Sequence, residues 1–140
     1  TIPAFSMQSF NEGESFDLST FDTSGPFIIN IFASWCLPCE AEHPVLTDLA
    51  NNYAIPIYGV AMQDEKKDLQ EFLKRLGNPY QAIGMDNAGL MLPGLGVRGL
   101  PSTFVVDQDM KVQMVYEGPI TQPLAEKKII PLIEKLRSGD

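Results

Sequence analysis

The chain is short of the residues that build metal sites, and short of positive charge. Its 140 residues hold two cysteines and one histidine. A structural zinc site takes four ligands, usually from a second Cys-x-x-Cys or a His pair, and that set is missing. Two cysteines also exclude a small scaffold stapled by several bridges. Ten Lys and Arg stand against 18 Asp and Glu, for a formal charge of -8. That balance argues against nucleic acid and against an anionic membrane surface, since both are polyanions. No apolar run approaches the roughly 20 residues that cross a bilayer. Low-complexity tracts are absent, as are repeats at a period of about 20–50 residues. The first residue is Thr1 rather than Met, from which an upstream segment is expected to have been removed.

What remains is ordinary globular material, 44% hydrophobic and 20% charged, expected to form one domain over residues 1–140. Folding at this length buries roughly 70% of the unfolded chain's surface, enough for a core without staples. Short runs around Asn11-Glu12-Gly13 within residues 3–21 predict a β-hairpin. "FIINIFA" from Phe27 to Ala33 suits a central strand covered on both faces. Cys39 to Tyr53 reads as a helix with Val45, Leu46, Leu49 and Tyr53 on one side and a kink at Pro44. Ile55 to Met62 is a second buried strand. A helix capped by Asp64 follows, with Leu69, Phe72, Leu73 and Leu76 at helical spacing; Gly77 and Pro79 stop it. A short strand at 81–85, a short helix or turn near 87–92, a hairpin of 102–107 and 111–118, and a helix from Pro123 to Leu136 bent at Pro131 complete the chain. Strands alternating with helices imply an α/β architecture, a mixed sheet with helices on both faces.

Both cysteines lie in "NIFASWCLPCEAEHP", between the buried strand and the helix. That junction places Cys36 at a helix N-terminus, where unpaired N–H groups and the positive end of the dipole favour an anion. A thiolate is such an anion; cysteines in this setting have pKa values of ~3.5–7.5, against ~8.5 free. Cys39 lies one turn further in. The expected division of labour has Cys36 attacking and Cys39 resolving the mixed disulfide. Leu37 and Pro38 stiffen the loop and offer no His to the thiolate, which favours a reducing couple over an oxidising one. Haem attachment needs His directly after the second Cys, and Glu40 stands there. A metal site and a pair of inert core cysteines are the remaining alternatives.

In "GVRGLPSTF", Pro101 follows Gly99 and Leu100 and directly precedes a strand. It suits either a cis peptide bond in a tight turn or a trans Pro opening an edge strand. In the cis form the Leu100 N–H and C=O would be free to pair with an extended substrate.

"WCLPC" after a buried strand and "GLP" before the next resemble the thioredoxin superfamily. "FSMQSFNEGESFDLSTF", the cysteine block, "FLKRLGNPY" and "GLGVRGLPSTFVVD" look like the periplasmic thioredoxins of the TlpA/ResA type. Among these the chain is most similar to the thiol:disulfide interchange proteins of cytochrome c maturation (the CcmG or DsbE type). The resemblance implies a thioredoxin fold: a mixed central sheet flanked by helices, with an N-terminal β-hairpin and a central helix–strand insertion. It implies a monomeric thiol:disulfide oxidoreductase in the periplasm, tethered to the inner membrane by an N-terminal segment absent from this chain. Its cofactor would be none beyond the Cys36–Cys39 disulfide. Its clients would be disulfides of apocytochrome c or of cytochrome c maturation proteins, and a membrane thiol reductant would regenerate it. Carried onto this sequence, Cys36 is the nucleophile, Cys39 the resolving thiol, Trp35 the flanking aromatic, expected to pack beside the site and shield the disulfide, and Pro101 the cis-Pro. Leu37, Pro38 and Leu100 join them on the substrate-binding surface.

Glu42, three residues beyond Cys39, is the acidic residue expected near the site. Partly buried, it would act as general base for Cys39; the alternative is a solvated Glu in the first turns of the helix. The chain departs from the family twice. Asn30 stands where thioredoxin has a buried Asp, and Ser102 follows the cis-Pro where the maturation type has Glu. The competing functions are a TlpA-type reductase with another client, an oxidant, a copper chaperone using Cys36, Cys39 and His43, and a redox-inert interaction module. His43 itself reads as an exposed or locally hydrogen-bonded helix residue.

Overall fold

A near-continuous apolar run is stable only when covered on both faces, and Phe27–Phe32 meets that condition as β3, every residue of it buried. The computed structural model describes residues 1–139. The other strands are β1 (Ser6–Ser9), β2 (Ser15–Asp17), β4 (Ile57–Met62), β5 (Ala82–Asp86), β6 (Ser102–Val106) and β7 (Val112–Glu117). They form one seven-stranded sheet in the order β2-β1-β5-β4-β3-β6-β7. β3, β4 and β5 run parallel, while β6 lies antiparallel to β3 and β7 to β6. The expected N-terminal hairpin is β1–β2, and β1 also pairs with β5.

Period-two alternation divides β3 between two cores. Phe27, Ile29 and Ile31 pack with Phe16, Phe21, Tyr58, Met91 and Leu92, beneath the short α3 (Met91–Gly94) and the N-terminal aromatics. Ile28 and Phe32 pack with Leu46, Leu49, Leu69, Phe72 and Ile133, beneath α1 (Leu37–Asn52), α2 (Lys66–Leu76) and α5 (Ile130–Arg137). Each such side chain fully buried stabilises the fold by about 1.5–3 kcal/mol. Asn30 shares the parity of Ile28 and Phe32 and so faces α1.

Several local expectations shift. The first helix starts at Leu37, two residues earlier than Cys39, with Cys36 as its N-cap and Pro38 in the first turn. A first-turn Pro lacks only an N–H that would have no helical partner. The helix continues through Pro44, and Tyr53 caps its end instead of joining the apolar side. Asp64 does not cap α2; Glu65 occupies the N-cap without a side-chain bond. At the C-terminus, α4 (Gln122–Leu124) passes into a π-helical turn at Ala125–Ile129 and then α5. The wider turn, closed by Ile130 N–H to the Ala125 carbonyl, lies just before Pro131, which has no N–H to offer a regular turn.

Candidate active site

Because β6 runs antiparallel to β3, with Ile31 opposite Ser102, the end of β3 and the start of β6 lie at the same edge of the sheet. The cysteine turn and Pro101 therefore meet there. The Cys36 N–H donates to the Ala33 carbonyl at 3.2 Å, turning the chain into α1. Its Sγ accepts the Cys39 N–H at 3.3 Å. The two cysteines form a disulfide with Cα atoms 5.3 Å apart. Cys36 is 8% exposed and Cys39 1%, and the intervening Leu37 and Pro38 are exposed. An incoming group reaches Cys36 first. In the reduced state the same N–H and the helix N-terminus stabilise a thiolate on Cys36.

Two residues upstream the turn is anchored to the end of β4. The Asp64 carboxylate accepts the Ser34 N–H at 2.7 Å and the Ser34 hydroxyl at 2.6 Å. The Trp35 indole N–H donates to the Gln63 carbonyl at 3.0 Å. Trp35 itself is 57% exposed. Trp35 flanks the site as an exposed apolar surface.

Glu42 is buried, 1% exposed, and not the solvated residue of the alternative reading. Its Oε2 accepts from Asn30 Nδ2 at 2.9 Å and its Oε1 from the Ile120 N–H at 3.1 Å. Burial pushes its pKa up to about 7, the two hydrogen bonds opposing the rise. Asn30 also donates to Thr103 Oγ1 at 3.1 Å and accepts the Tyr80 hydroxyl at 2.9 Å. One polar network thus joins α1, β3, β6, the segment before β5 and the loop after β7. Its sequence signals were Asn30, the lone polar residue in an apolar strand, and Tyr80 at the end of "FLKRLGNPY", to which the sequence reading gave no role.

Leu100–Pro101 is a cis peptide bond. Among the described residues the Leu100 N–H and carbonyl have no hydrogen-bond partner, and its side chain is half-buried between the two cores. Ser102, where the maturation type has Glu, is buried and donates to the Gly99 carbonyl at 2.7 Å. Its hydroxyl braces the turn around Pro101.

His43 departs from expectation. It is buried, its Nε2 donates to the Gly77 carbonyl at 2.7 Å, and its ring meets Phe72 and Tyr80 edge-on. The bond ties α1 to the end of α2 across 34 positions of sequence. Burial lowers its pKa. It does not join the cysteines: among the described residues no group of three or more His, Cys, Asp or Glu converges as a metal site.

Residues 1–115 match the model of the AhpC/TSA family. The thiol:disulfide interchange protein CycY of Rhizobium leguminosarum bv. viciae is 40% identical over 108 residues, covering 77% of this chain and 58% of that protein. Against CycY the match thus spans less than two thirds of the relative. DsbE of Yersinia pestis, also a thiol:disulfide interchange protein, is 32% identical over 139 residues, 99% of this chain and 73% of the relative. The solved structure of MTB DsbF in its mixed oxidized and reduced forms superposes with a TM-score of 0.78 at 25% identity, covering 97% of this chain and 99% of that one. The fold is the thioredoxin fold of these proteins. With a Cys-x-x-Cys disulfide at a helix N-terminus beside a cis-Pro, the chain belongs to the AhpC/TSA family and, within it, to the thiol:disulfide interchange proteins.

Proposed function

We propose that this protein is a periplasmic dithiol reductant acting through residues 1–140 as one monomeric thioredoxin-like domain. It would be held at the inner membrane by an N-terminal segment outside this chain; among the described residues no helix is long and apolar enough to cross a membrane. Its clients are disulfides of apocytochrome c or of cytochrome c maturation proteins, and a membrane thiol reductant regenerates it. It uses no cofactor beyond the Cys36–Cys39 disulfide.

The reduced Cys36 thiolate attacks a client disulfide, forming a mixed disulfide and releasing one client thiolate. Cys39 then loses its proton to the Glu42 carboxylate, and its thiolate attacks Cys36 Sγ. The second client thiolate leaves, two electrons have passed to the client, and the protein is left with the Cys36–Cys39 disulfide. The client's chain pairs with the free Leu100 N–H and carbonyl beside Pro101, against the apolar surface of Trp35, Leu37 and Pro38.

The observation that carries this reading is a buried carboxylate one turn behind the resolving thiol, with a pKa of about 7. A base poised near the working pH holds and passes a proton best. Equilibration against a defined thiol buffer tests the direction of transfer: the expected couple is more reducing than about -200 mV, whereas one near -120 mV marks an oxidant and overturns the proposal. A peptide carrying a Cys-x-x-Cys-His disulfide tests the client. It should be reduced about tenfold faster than an unrelated disulfide; equal rates would remove the cytochrome assignment and leave the reductase.

A further inference from the structure

We propose that Tyr80 is a positioning residue for Glu42, acting through the side-chain amide of Asn30. The inference rests on the reading of Glu42 as the group that takes the Cys39 proton.

An ionised carboxylate only accepts hydrogen bonds, so the Asn30 nitrogen must face Glu42 in that state. The amide is then held by what its oxygen receives, and that is the Tyr80 hydroxyl at 2.9 Å. With its oxygen satisfied, Asn30 presents one N–H to Glu42 and the other to Thr103. Without the phenol, a buried amide oxygen would have no donor, and the side chain would gain by turning it toward a protonated Glu42. The Tyr80 hydroxyl therefore favours the ionised form of a carboxylate it does not touch.

The phenol is aimed by its surroundings. The Tyr80 ring stacks on Phe32 with centroids 4.7 Å apart and meets His43 edge-on. It also lies over Gly59, where a Cβ would come within 2.9 Å of its Cδ1. The Tyr80 N–H is fixed by the Asn78 side chain at 3.0 Å. Tyr80 is buried, and burial together with the charge of Glu42 raises its pKa well above the usual tyrosine value. It stays a neutral donor throughout the working range. The other titratable groups near Glu42 are the cysteine pair and His43 on its own helix. Among the described residues, the groups that β3, β6 and the loop after β7 bond into this network are the neutral Asn30, Thr103 and Ile120 N–H.

The test uses single-turnover reduction of a chromogenic aryl disulfide by the full chain. The second thiol released reports resolution by Cys39, followed as a function of pH. Wild type should show a rate that rises with ionisation of Glu42, and Glu42→Gln should lack that rise. Tyr80→Phe keeps the ring and removes one oxygen. It should move the midpoint up by about 0.7 pH unit, about fivefold in proton affinity, the worth of one net hydrogen bond. Adding Tyr80→Phe to Glu42→Gln should change nothing further in the pH profile. Infrared titration of the Glu42 carboxyl in the oxidised protein should show the same displacement. A ring-fluorinated tyrosine at position 80, a stronger donor with the same packing, should move the midpoint down. It also serves should Tyr80→Phe fold poorly. If Glu42→Gln retains the wild-type profile, the proton-acceptor reading itself is lost. If Glu42→Gln loses the rise while Tyr80→Phe keeps the wild-type midpoint, or shifts rates equally in both backgrounds, Tyr80 is structural only and this inference is overturned.

Discussion

Glu42 and Asp64 are two carboxylates buried within reach of the same cysteine turn, and their donors set them apart. Glu42 accepts from Asn30 and from the Ile120 backbone, groups already held by the sheet and by the loop after β7. Asp64 accepts twice from Ser34, a residue of the turn itself. A carboxylate whose donors are fixed by the rest of the fold can change its protonation without moving anything. One whose donor is the loop it holds acts as a strut. The difference separates a group fit for proton transfer from one that fixes the approach to Cys36.

The sharpest test of this contrast is pH. Glu42 ionises near 4.5 when exposed and near 7 in the fold, so the folded state holds its proton more tightly. Its contribution to stability is fully present below about pH 4.5 and is lost as pH rises through about 7, a swing of about 3 kcal/mol. Urea unfolding of the oxidised protein across that window should show the decline, and Glu42→Gln should flatten it. The same slope in the variant would erase what distinguishes Glu42.

Asp64→Ala should cost about 2 kcal/mol, because the Ser34 N–H and hydroxyl lose their shared acceptor. The urea midpoint at neutral pH measures this, and an unchanged midpoint would mean the strut carries no load. Ser34→Ala leaves one of the two bonds and should cost about 1 kcal/mol. Combined with Asp64→Ala it should cost less than the two separately, since the residues share one interaction; simple additivity would argue against the coupling. Smallest of all is Arg75→Gln, which removes the exposed bidentate pair with Glu40 between α2 and α1. Solvent screening should leave the unfolding midpoint where it was, and a clear loss would show that surface charge also holds this end of the sheet.

Asp64 and His43 show where reading residues in order falls short. Asp before a helical pattern is a normal capping signal, yet its carboxylate is spent 30 positions back on Ser34. His43 read as an exposed or locally hydrogen-bonded helix residue, yet α2 ends with a bare carbonyl at Gly77, 34 positions away, that its Nε2 satisfies. The Trp35 indole finds its acceptor at the Gln63 carbonyl, 28 positions on. Each of these partners belongs to another element, brought near only by the sheet.

Hydrophobic period, turn residues and the Cys-x-x-Cys spacing are local properties, and they were enough to determine the α/β order and the strand–helix junction at Cys36. Even the face of Asn30 follows from the parity of β3. The burial of Glu42 and the network running from Tyr80 through Asn30 depend on partners 12 to 78 positions away. Proton affinity is set by the solvent excluded and the donors supplied, and both come into being only when α1, β3, β6 and the loop at Ile120 close around one carboxylate.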